Sequence, residues 1–570
     1  MSRSIPLLLA LCWLCACSAP NGDAPELGDL AFVNARVYTV DEANPWAEAV
    51  VARGDSIVYV GDLDGARDLI GDSTEVRDLG GKLVLPGFIE AHMHFVTSGG
   101  TATVLELNIE QSIDDWVAAI DDYADRNPDL PVVFGYGFIA SAFGDAGPHR
   151  RLIDAVVPDR PVIIMDEGWH TAWVNTAALQ ALNVTQDTPD PVPGYAYYKR
   201  DENGEATGYL LEDVAGMAYK TLFPVDEDLV VKGLGVMTRT MNSQGITTAF
   251  DASTMEHGHE FVKKVLDRLA GQNLLTIRVF GAAAVYSSED TEIAAERADL
   301  WRTTVKGDGF HYNALKIYDD GTLEAKTAAM FEDYQGDPGN PGYTIFSEEQ
   351  LTTMIAAAAS RDLDVHVHAL GERAIHEALN AIEATRKLHP DSTSRYVLVH
   401  IEVIADQDVA RFGELGVIAQ TSPLWFSYDQ HGEQFVSEDQ FQRYWRVNSL
   451  EQAGARLAFG SDFPATGLGL EGMRPLLNIE IGHTRQIPGQ PDAPVQPLIT
   501  ERLSIDSLVR GYTINGAYML HMEDRIGSIE VGKKADLVVL DQDIFEVDPY
   551  AIHKTQVLMT VMDGDVVFER

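Results

Sequence analysis

The chain is poor in thiols and poor in positive charge. Its three cysteines, Cys12, Cys15 and Cys17, all stand near the start, so everything after Cys17 is cysteine-free. That excludes a disulfide scaffold, a cysteine-ligated metal and a catalytic thiol from the body of the protein. Lys and Arg number 42 against 87 Asp and Glu, a formal charge of −45. A general nucleic-acid binder is excluded, because phosphate backbones would be repelled. The plain reading of the acidity is a solvated surface that keeps the chain soluble, with attraction of cationic substrates as the alternative. The apolar run from Ile5 to Cys17 is too short to cross a bilayer as a permanent helix. Internal repeats and low-complexity tracts are not evident. With 45% apolar and 23% charged residues, the composition is that of a globular protein able to build a large core.

Residues 1–17 join Arg3 to that apolar run and read as a secretory signal. Leu14-Cys15-Ala16-Cys17 resembles a bacterial lipobox, in which the last cysteine is lipidated; an ordinary signal peptide cleaved nearby is the alternative. The expectation is an exported protein of a bacterial cell envelope or periplasm, tethered to the membrane by lipid on Cys17, with 18–28 as a polar linker. Without disulfides, packing must supply the stability.

From Leu30, LAFVNARVYTV and AVVARGDSIVYVGD read as β-rich runs broken by turns. The same texture returns in GSIEVGKKADLVVLDQD and QVLMTVMDGDVVFER, where Asp563-Gly564 signals a hairpin. Segments 29–82 and 521–570 are therefore expected to pair into one small β-sandwich domain. Between them lie eight apolar runs of strand length, at 83–95, 245–253, 274–282, 314–321, 363–371, 396–404, 416–423 and 456–465. Helical stretches separate most of them, such as SEEQLTTMIAAAASR with a capped start at Ser347. This alternation predicts an α/β fold, a (β/α)8 TIM-like barrel over 83–520. The gap after the first run, about 96–243, is far longer than a barrel connection needs and must hold an insertion. Its aromatic stretches PVVFGYGF and PVIIMDEGWHTAWVNTAAL suit a cover over the barrel mouth.

In such barrels the reactive groups stand at the C-terminal ends of strands. Polar residues near those ends include His92, His94, Lys316, His368, His400 and Asp462. His92 and His94 are two apart on a strand, so both imidazoles share a face and can approach one cation. With Pro86-Gly87-Phe88 before it and Glu90-Ala91 within it, LVLPGFIEAHMHF resembles the signature of the amidohydrolase superfamily. ALKIYDDGTL, HALGERAI, VLVHIEVI and FGSDFPAT follow in the order of its family 3 branch, which includes N-substituted formamide deformylases. The resemblance spans essentially the whole chain after the leader. It implies a metal-bearing barrel, a small β-sandwich, and hydrolysis at a carbon–nitrogen bond.

Within that resemblance His92, His94, Lys316, His368, His400 and Asp462 are the candidate metal ligands. Lys316 matches a position where related amidohydrolases carry a lysine carbamate; a salt-bridge or snorkelling role is the alternative. His368 occupies the family's His-Ala-x-Gly position, which leaves His366 as a core residue. Val399 stands where the family often has Glu, so that carboxylate's supporting work is in question. Asp462 is both ligand and proton acceptor for the attacking water, hence a catalytic residue. His170, with Asn175, resembles the family's His-x-x-x-x-Asn stretch and is a second catalytic candidate, for substrate contact or oxyanion polarisation. Asp320 and Asn175 are candidates for supporting or substrate contacts, while Trp169, Trp173, Trp425 and Phe426 either line a pocket or fill a core.

The expected cofactor is one or two divalent ions, zinc by default for nitrogen-rich ligation, with iron, manganese and nickel compatible. The expected activity is metal-dependent hydrolysis of amide-type, non-peptide bonds in a small molecule. Alternatives are an esterase, lactonase or cyclic-amide hydrolase on the same site, or a tethered binding protein that kept the fold and lost catalysis. Substrate identity and oligomeric state stay open, a homo-oligomer among the outcomes.

Overall fold

The computed structural model describes residues 27–570 except 110, 194–195, 224–225, 255–256 and 429–431. The expected signal, Cys17 and linker residues 18–26 lie outside the described residues. No helix among the described residues is long and apolar enough to cross a membrane.

Eight parallel strands follow one another in a single sheet: β1 (Phe88–Met93), β2 (Ile246–Asp251), β3 (Arg278–Val285), β4 (Phe310–Tyr318), β5 (Asp364–Ala369), β6 (Tyr396–His400), β7 (Ile418–Thr421) and β8 (Arg456–Phe459). Both faces are covered, so strands such as β1, β5 and β6 are buried at every position. The sheet is nearly closed. Beyond β8, the Asp462 amide donates to the His92 carbonyl at 2.8 Å, and the His94 amide donates to the Phe463 carbonyl at 2.9 Å. Helices pack outside; the one from Glu348 to Ala359 begins at Ser347 with a capping box completed by Gln350.

The first apolar run divides, which corrects the sequence reading. Leu83–Pro86 pairs parallel with Arg36–Tyr38 and antiparallel with Leu537–Leu540, so the barrel begins at Phe88 rather than at Leu83. Pro86 supplies no amide to continue the ladder. Gly87 then passes so close to Thr247 that a β-carbon would lie 2.4 Å from its Oγ1.

Two sheets flank the barrel's starting point. One joins Leu30–Val33, Ala49–Arg53, Ser56–Gly61 and Glu75–Asp78; the other joins Arg36–Tyr38, Trp46–Ala47 and Leu83–Pro86 with Leu537–Leu540, Val557–Met562 and Asp565–Glu569. Leu30, Phe32 and Val50 of the first share one apolar cluster with Val37, Val84, Leu537 and Val561 of the second. Asp563 and Gly564 both take positive φ, 50° and 83°, as a two-residue hairpin turn requires.

The insertion builds a further six-stranded sheet from segments between Leu105 and Leu211. It has its own apolar clusters, one around Phe134, Ile163 and Leu210 and one around Trp116, Phe138 and Trp173. Helix Glu227–Ser243 falls in the stretch read as insertion, yet Val230, Leu234, Met237 and Met241 pack in the barrel's cluster with Phe95 and Ile246.

Arg278, at the start of β3, joins barrel to terminal sheet. Its guanidinium binds Asp536 through both nitrogens and Asp563 at 2.6 Å, with Arg278 only 8% exposed. Breaking such a buried pair strands the remaining charges, so Arg278→Ala is expected to lower unfolding free energy by about 3–5 kcal/mol. Denaturant titration of the purified variant checks this; a loss under about 1 kcal/mol, the range of a surface pair, refutes it.

Candidate metal centre

The ends of β1, β4, β5, β6 and β8 bring the six candidate ligands into one buried cluster. Asp462 is its hub. Its Oδ1 lies 3.3 Å from His92 Nε2 and 3.4 Å from His94 Nε2, and its Oδ2 lies 3.9 Å from His400 Nδ1. Lys316 Nζ is 3.3 Å from His92 Nε2. The His368 ring centroid is 4.5 Å from that of His400. His92, His400 and Asp462 each offer a ligand atom within 4.8 Å of the others.

Backbone strain gathers at the same place. His400 and Asp462 hold φ of 74° and 58°, a region that disfavours residues with a β-carbon. Neighbours impose the conformation: the Ile401 amide donates to Ala369 O at 3.1 Å, and the Ala465 amide to Asp462 O at 2.8 Å. Glu90, on β1, accepts from the amides of His92 at 3.1 Å and Ser461 at 2.8 Å, which pins β1 to the loop after β8. Gly460 permits that approach, since a β-carbon there would sit 2.4 Å from Glu90 Oε1 and from His92 N.

Electrostatics prepare the donors. Burial pulls the His92 imidazole down to about 3, with Lys316 adding to it, and burial holds His368 and His400 well below the usual range. These rings are neutral, with lone pairs available. Burial favours the acid form of Asp462, but His400 and the close approach of the His92 and His94 rings outweigh it and hold the carboxyl well below its usual range. Burial lowers the Lys316 amine to about 7, against the pull of Asp462. Both His368 ring nitrogens and Asp462 Oδ1 are buried without a hydrogen-bond partner among the described residues. Neutral imidazoles around an ionised carboxylate, with donor atoms left over, fit a borderline-soft divalent cation.

The supporting residues sort themselves by contact. His94 Nδ1 lies 3.1 Å from the Ser253 carbonyl, and Ser253 Oγ lies 2.9 Å from the Tyr318 hydroxyl. Asp251 accepts from the Tyr312 hydroxyl at 2.6 Å and from the Val96 amide at 3.3 Å, bracing the segment after His94. Asp320 accepts amides of Ala329, Leu370 and Gly371 at 2.9–3.0 Å and sits 3.8 Å from His368, so it fixes the loop beyond β5. His366 stacks on Phe250, centroids 4.2 Å apart, as a core residue.

Asn175 is a correction. Its side chain caps helix Thr176–Ala181 and spends its donors on the carbonyls of Val157 and Arg160, at 2.8 and 2.9 Å. It is buried with nothing left for substrate. Trp173 and Phe426 are likewise fully buried core residues. His170 and Trp169 do line the cavity shared by His94, His368, His400 and Asp462, and Trp425 stands 5.6 Å from the His400 ring. Glu90, Asp251 and Ser253 carried no role in the sequence reading. The strand-end rule that picked out the candidate ligands reaches Asp251 and Ser253, because they close the second run.

A sequence model of a family described as the amidohydrolase family matches residues 75–568. YtcJ of Bacillus subtilis is 27% identical over 541 residues, which cover 94% of this chain and 98% of that protein. The N-substituted formamide deformylase of Arthrobacter pascens is 27% identical over 558 residues, covering 96% and 99%. The fold is shared with the crystal structure of a metal-dependent hydrolase from Pyrococcus horikoshii, at TM-score 0.71 and 23% identity, covering 91% of this chain and 99% of that one.

A divalent cation added at about one hundred times its dissociation constant is expected to stabilise the chain by about 2.7 kcal/mol. Chelation should reverse the gain, and His92→Ala and Asp462→Asn should abolish it. Thermal unfolding with metal analysis reads both; a gain that survives in the two variants places the cation elsewhere.

Proposed function

The chain belongs to the amidohydrolase family, and from that premise we propose that it is a metal-dependent hydrolase of amide-type, non-peptide carbon–nitrogen bonds in small molecules. The observation that carries this reading is the convergence of His92, His94, His400 and Asp462, with Lys316 and His368 beside them. The relative named for deformylating N-substituted formamides supports an amide-type bond.

A bound cation would lower the pKa of a coordinated water from about 16 towards 7 and polarise the substrate carbonyl. His92, His94, His368, His400 and Asp462 would hold it, with zinc the default for this donor set. The remaining chemistry belongs to side chains. Asp462, ionised and joined to two imidazoles, takes the proton of the attacking water and returns it to the leaving nitrogen. Glu90 keeps β1 and the Asp462 loop in register, and Ser253 orients the His94 ring through Nδ1. The products are a carboxylate and an amine.

Lys316 is read as a carbamate. Its buried amine, near neutrality in charge state, attacks carbon dioxide: an N–C bond forms, one C=O π bond opens, and the displaced proton leaves to solvent. The resulting anion would replace a cation that repels metal with an oxygen donor, so that the same set of side chains would have donors enough for a second ion. We read the two terminal sheets as one small β-sandwich, and Cys17 as the lipid anchor of an exported enzyme.

Metal-loaded protein is expected to release amine from N-formyl and N-acyl anilides, and Asp462→Asn to lower kcat about 10²–10⁴-fold. Matched ester and lactone assays separate the alternatives of leaving atom. Full activity in metal-free protein, or no turnover of amide, ester or lactone when loaded, overturns the reading. Native mass spectrometry should show one carbon dioxide on wild-type chain, lost on acidification and absent from Lys316→Gln.

A further inference from the structure

The turn from Asp166 to Thr171 carries His170 and Trp169 from the inserted sheet to the edge of the cavity that His94, His368, His400 and Asp462 line. Two residues that are not glycine bend into the left-handed region there, Trp169 at φ 64° and Glu212 at φ 53°. Strain of this kind persists only where surrounding contacts over-determine it, and it gathers at working sites.

Those contacts converge on His170. The Glu212 amide donates to the His170 carbonyl at 2.7 Å, and His170 Nδ1 lies 2.8 Å from Glu212 Oε2. One residue thus grips another by backbone and side chain together. Behind the turn, Asp166 closes the loop: its Oδ1 accepts the Thr171 amide at 2.9 Å, and its carbonyl accepts the Trp169 amide at 3.3 Å. Register adds to this, since Thr171 pairs with Leu211 across antiparallel strands and sets Glu212 beside His170. The Glu212 side chain is 9% exposed, so its carboxylate is committed to the imidazole. Nε2 of His170 has no protein partner among the described residues, while the ring borders the cavity.

We propose that Glu212 is a positioning residue for His170, and that the His170 Nε2–H, so aimed, donates to the substrate's carbonyl oxygen from the insertion side of the cavity. This rests on the hydrolase reading above. A carboxylate on Nδ1 fixes the ring's orientation and makes Nε2 a donor whenever the ring is cationic. Burial works against that cation, but Glu212, with Asp166 and Glu324, outweighs it and holds His170 up at about 9. A preorganised charged donor acts where negative charge develops on the carbonyl oxygen during attack. The insertion therefore supplies part of the reaction site as well as covering it.

With an N-acyl anilide as probe, His170→Ala is expected to lower kcat about 10²–10³-fold, as loss of one oxyanion donor does, with KM little changed. Glu212→Gln should cost about 10–100-fold. The double variant should be no slower than His170→Ala alone, because Glu212 acts through His170. Losses that multiply, or an unaltered kcat in His170→Ala, overturn the proposal. Imidazole should partly rescue His170→Gly but do so poorly when Glu212→Gln is added; equal rescue in both also overturns it. Thermal midpoint and metal content control for folding. The proton spectrum gives a readout independent of turnover: a far-downfield imidazole N–H signal present in wild type and absent from His170→Ala and Glu212→Gln. Wild type that shows the signal but hydrolyses no substrate counts against the hydrolase reading, whereas a missing signal counts against the Glu212–His170 pair itself.

Discussion

The seam between the first and last barrel strands is the contact on which the rest of the molecule depends. Glu90 reaches across it to the amides of His92 and Ser461, while Asp462 and His94 exchange backbone hydrogen bonds with His92 and Phe463. The bonds that draw the barrel towards closure are therefore the bonds that set two imidazoles against the Asp462 carboxylate. Nothing larger than Gly460 fits in that seam, because a single added carbon would meet Glu90 and the His92 backbone at once. Architecture and chemistry are one constraint here, and neither can be relaxed alone.

Two buried aspartates show how the fold divides its polar groups. Asp320 is saturated by three amides and has become scaffold. Asp462 keeps an oxygen without a hydrogen bond, beside a His368 ring with neither nitrogen satisfied. Buried polar atoms are costly to leave unpaired, and cores seldom contain several together. Asp462 Oδ1 and both His368 ring nitrogens, metal-ligating atoms all, come together at the strand ends, which suits a place that receives a ligand.

The barrel was largely legible because its strands are short apolar runs closed by polar residues: six of the eight runs enclose an observed barrel strand, and the runs at 274–282 and 314–321 overlap Arg278–Val285 and Phe310–Tyr318. Its start was less so. Pro86-Gly87 lies inside a continuous apolar run, and hydropathy does not reveal that Leu83–Pro86 pairs with Leu537–Leu540, far away in sequence. The buried cluster was legible because imidazoles at strand ends are rare enough to stand out. Asn175 misled because an amide that caps a helix and one that meets substrate have the same local sequence. Glu90 and Glu212 were opaque for a related reason: an acid's role depends on which amide or ring lies opposite, and both partners arrive through tertiary contacts. The aromatics of the insertion could not be sorted by composition, since Trp169 lines the cavity and Trp173 fills a core only a turn away.

The strand Leu83–Pro86 sits directly before the strand that carries His92, and while one neighbour, Arg36–Tyr38, precedes it, the other, Leu537–Leu540, is made hundreds of positions later. On a ribosome the chain emerges in order, and non-local pairings are slow because loop closure precedes their reward. His92 and His94, the first members of the cluster to be synthesised, thus follow a strand that is among the last to be fastened. Until Leu537–Leu540 has been made and docked, the early part of the barrel presents an unpartnered edge of apolar β-strand, the kind of surface on which nascent chains aggregate. Assembly of the cluster is for the same reason tied to the end of synthesis, so truncation near the C-terminus would damage a centre whose first residues lie near the opposite end.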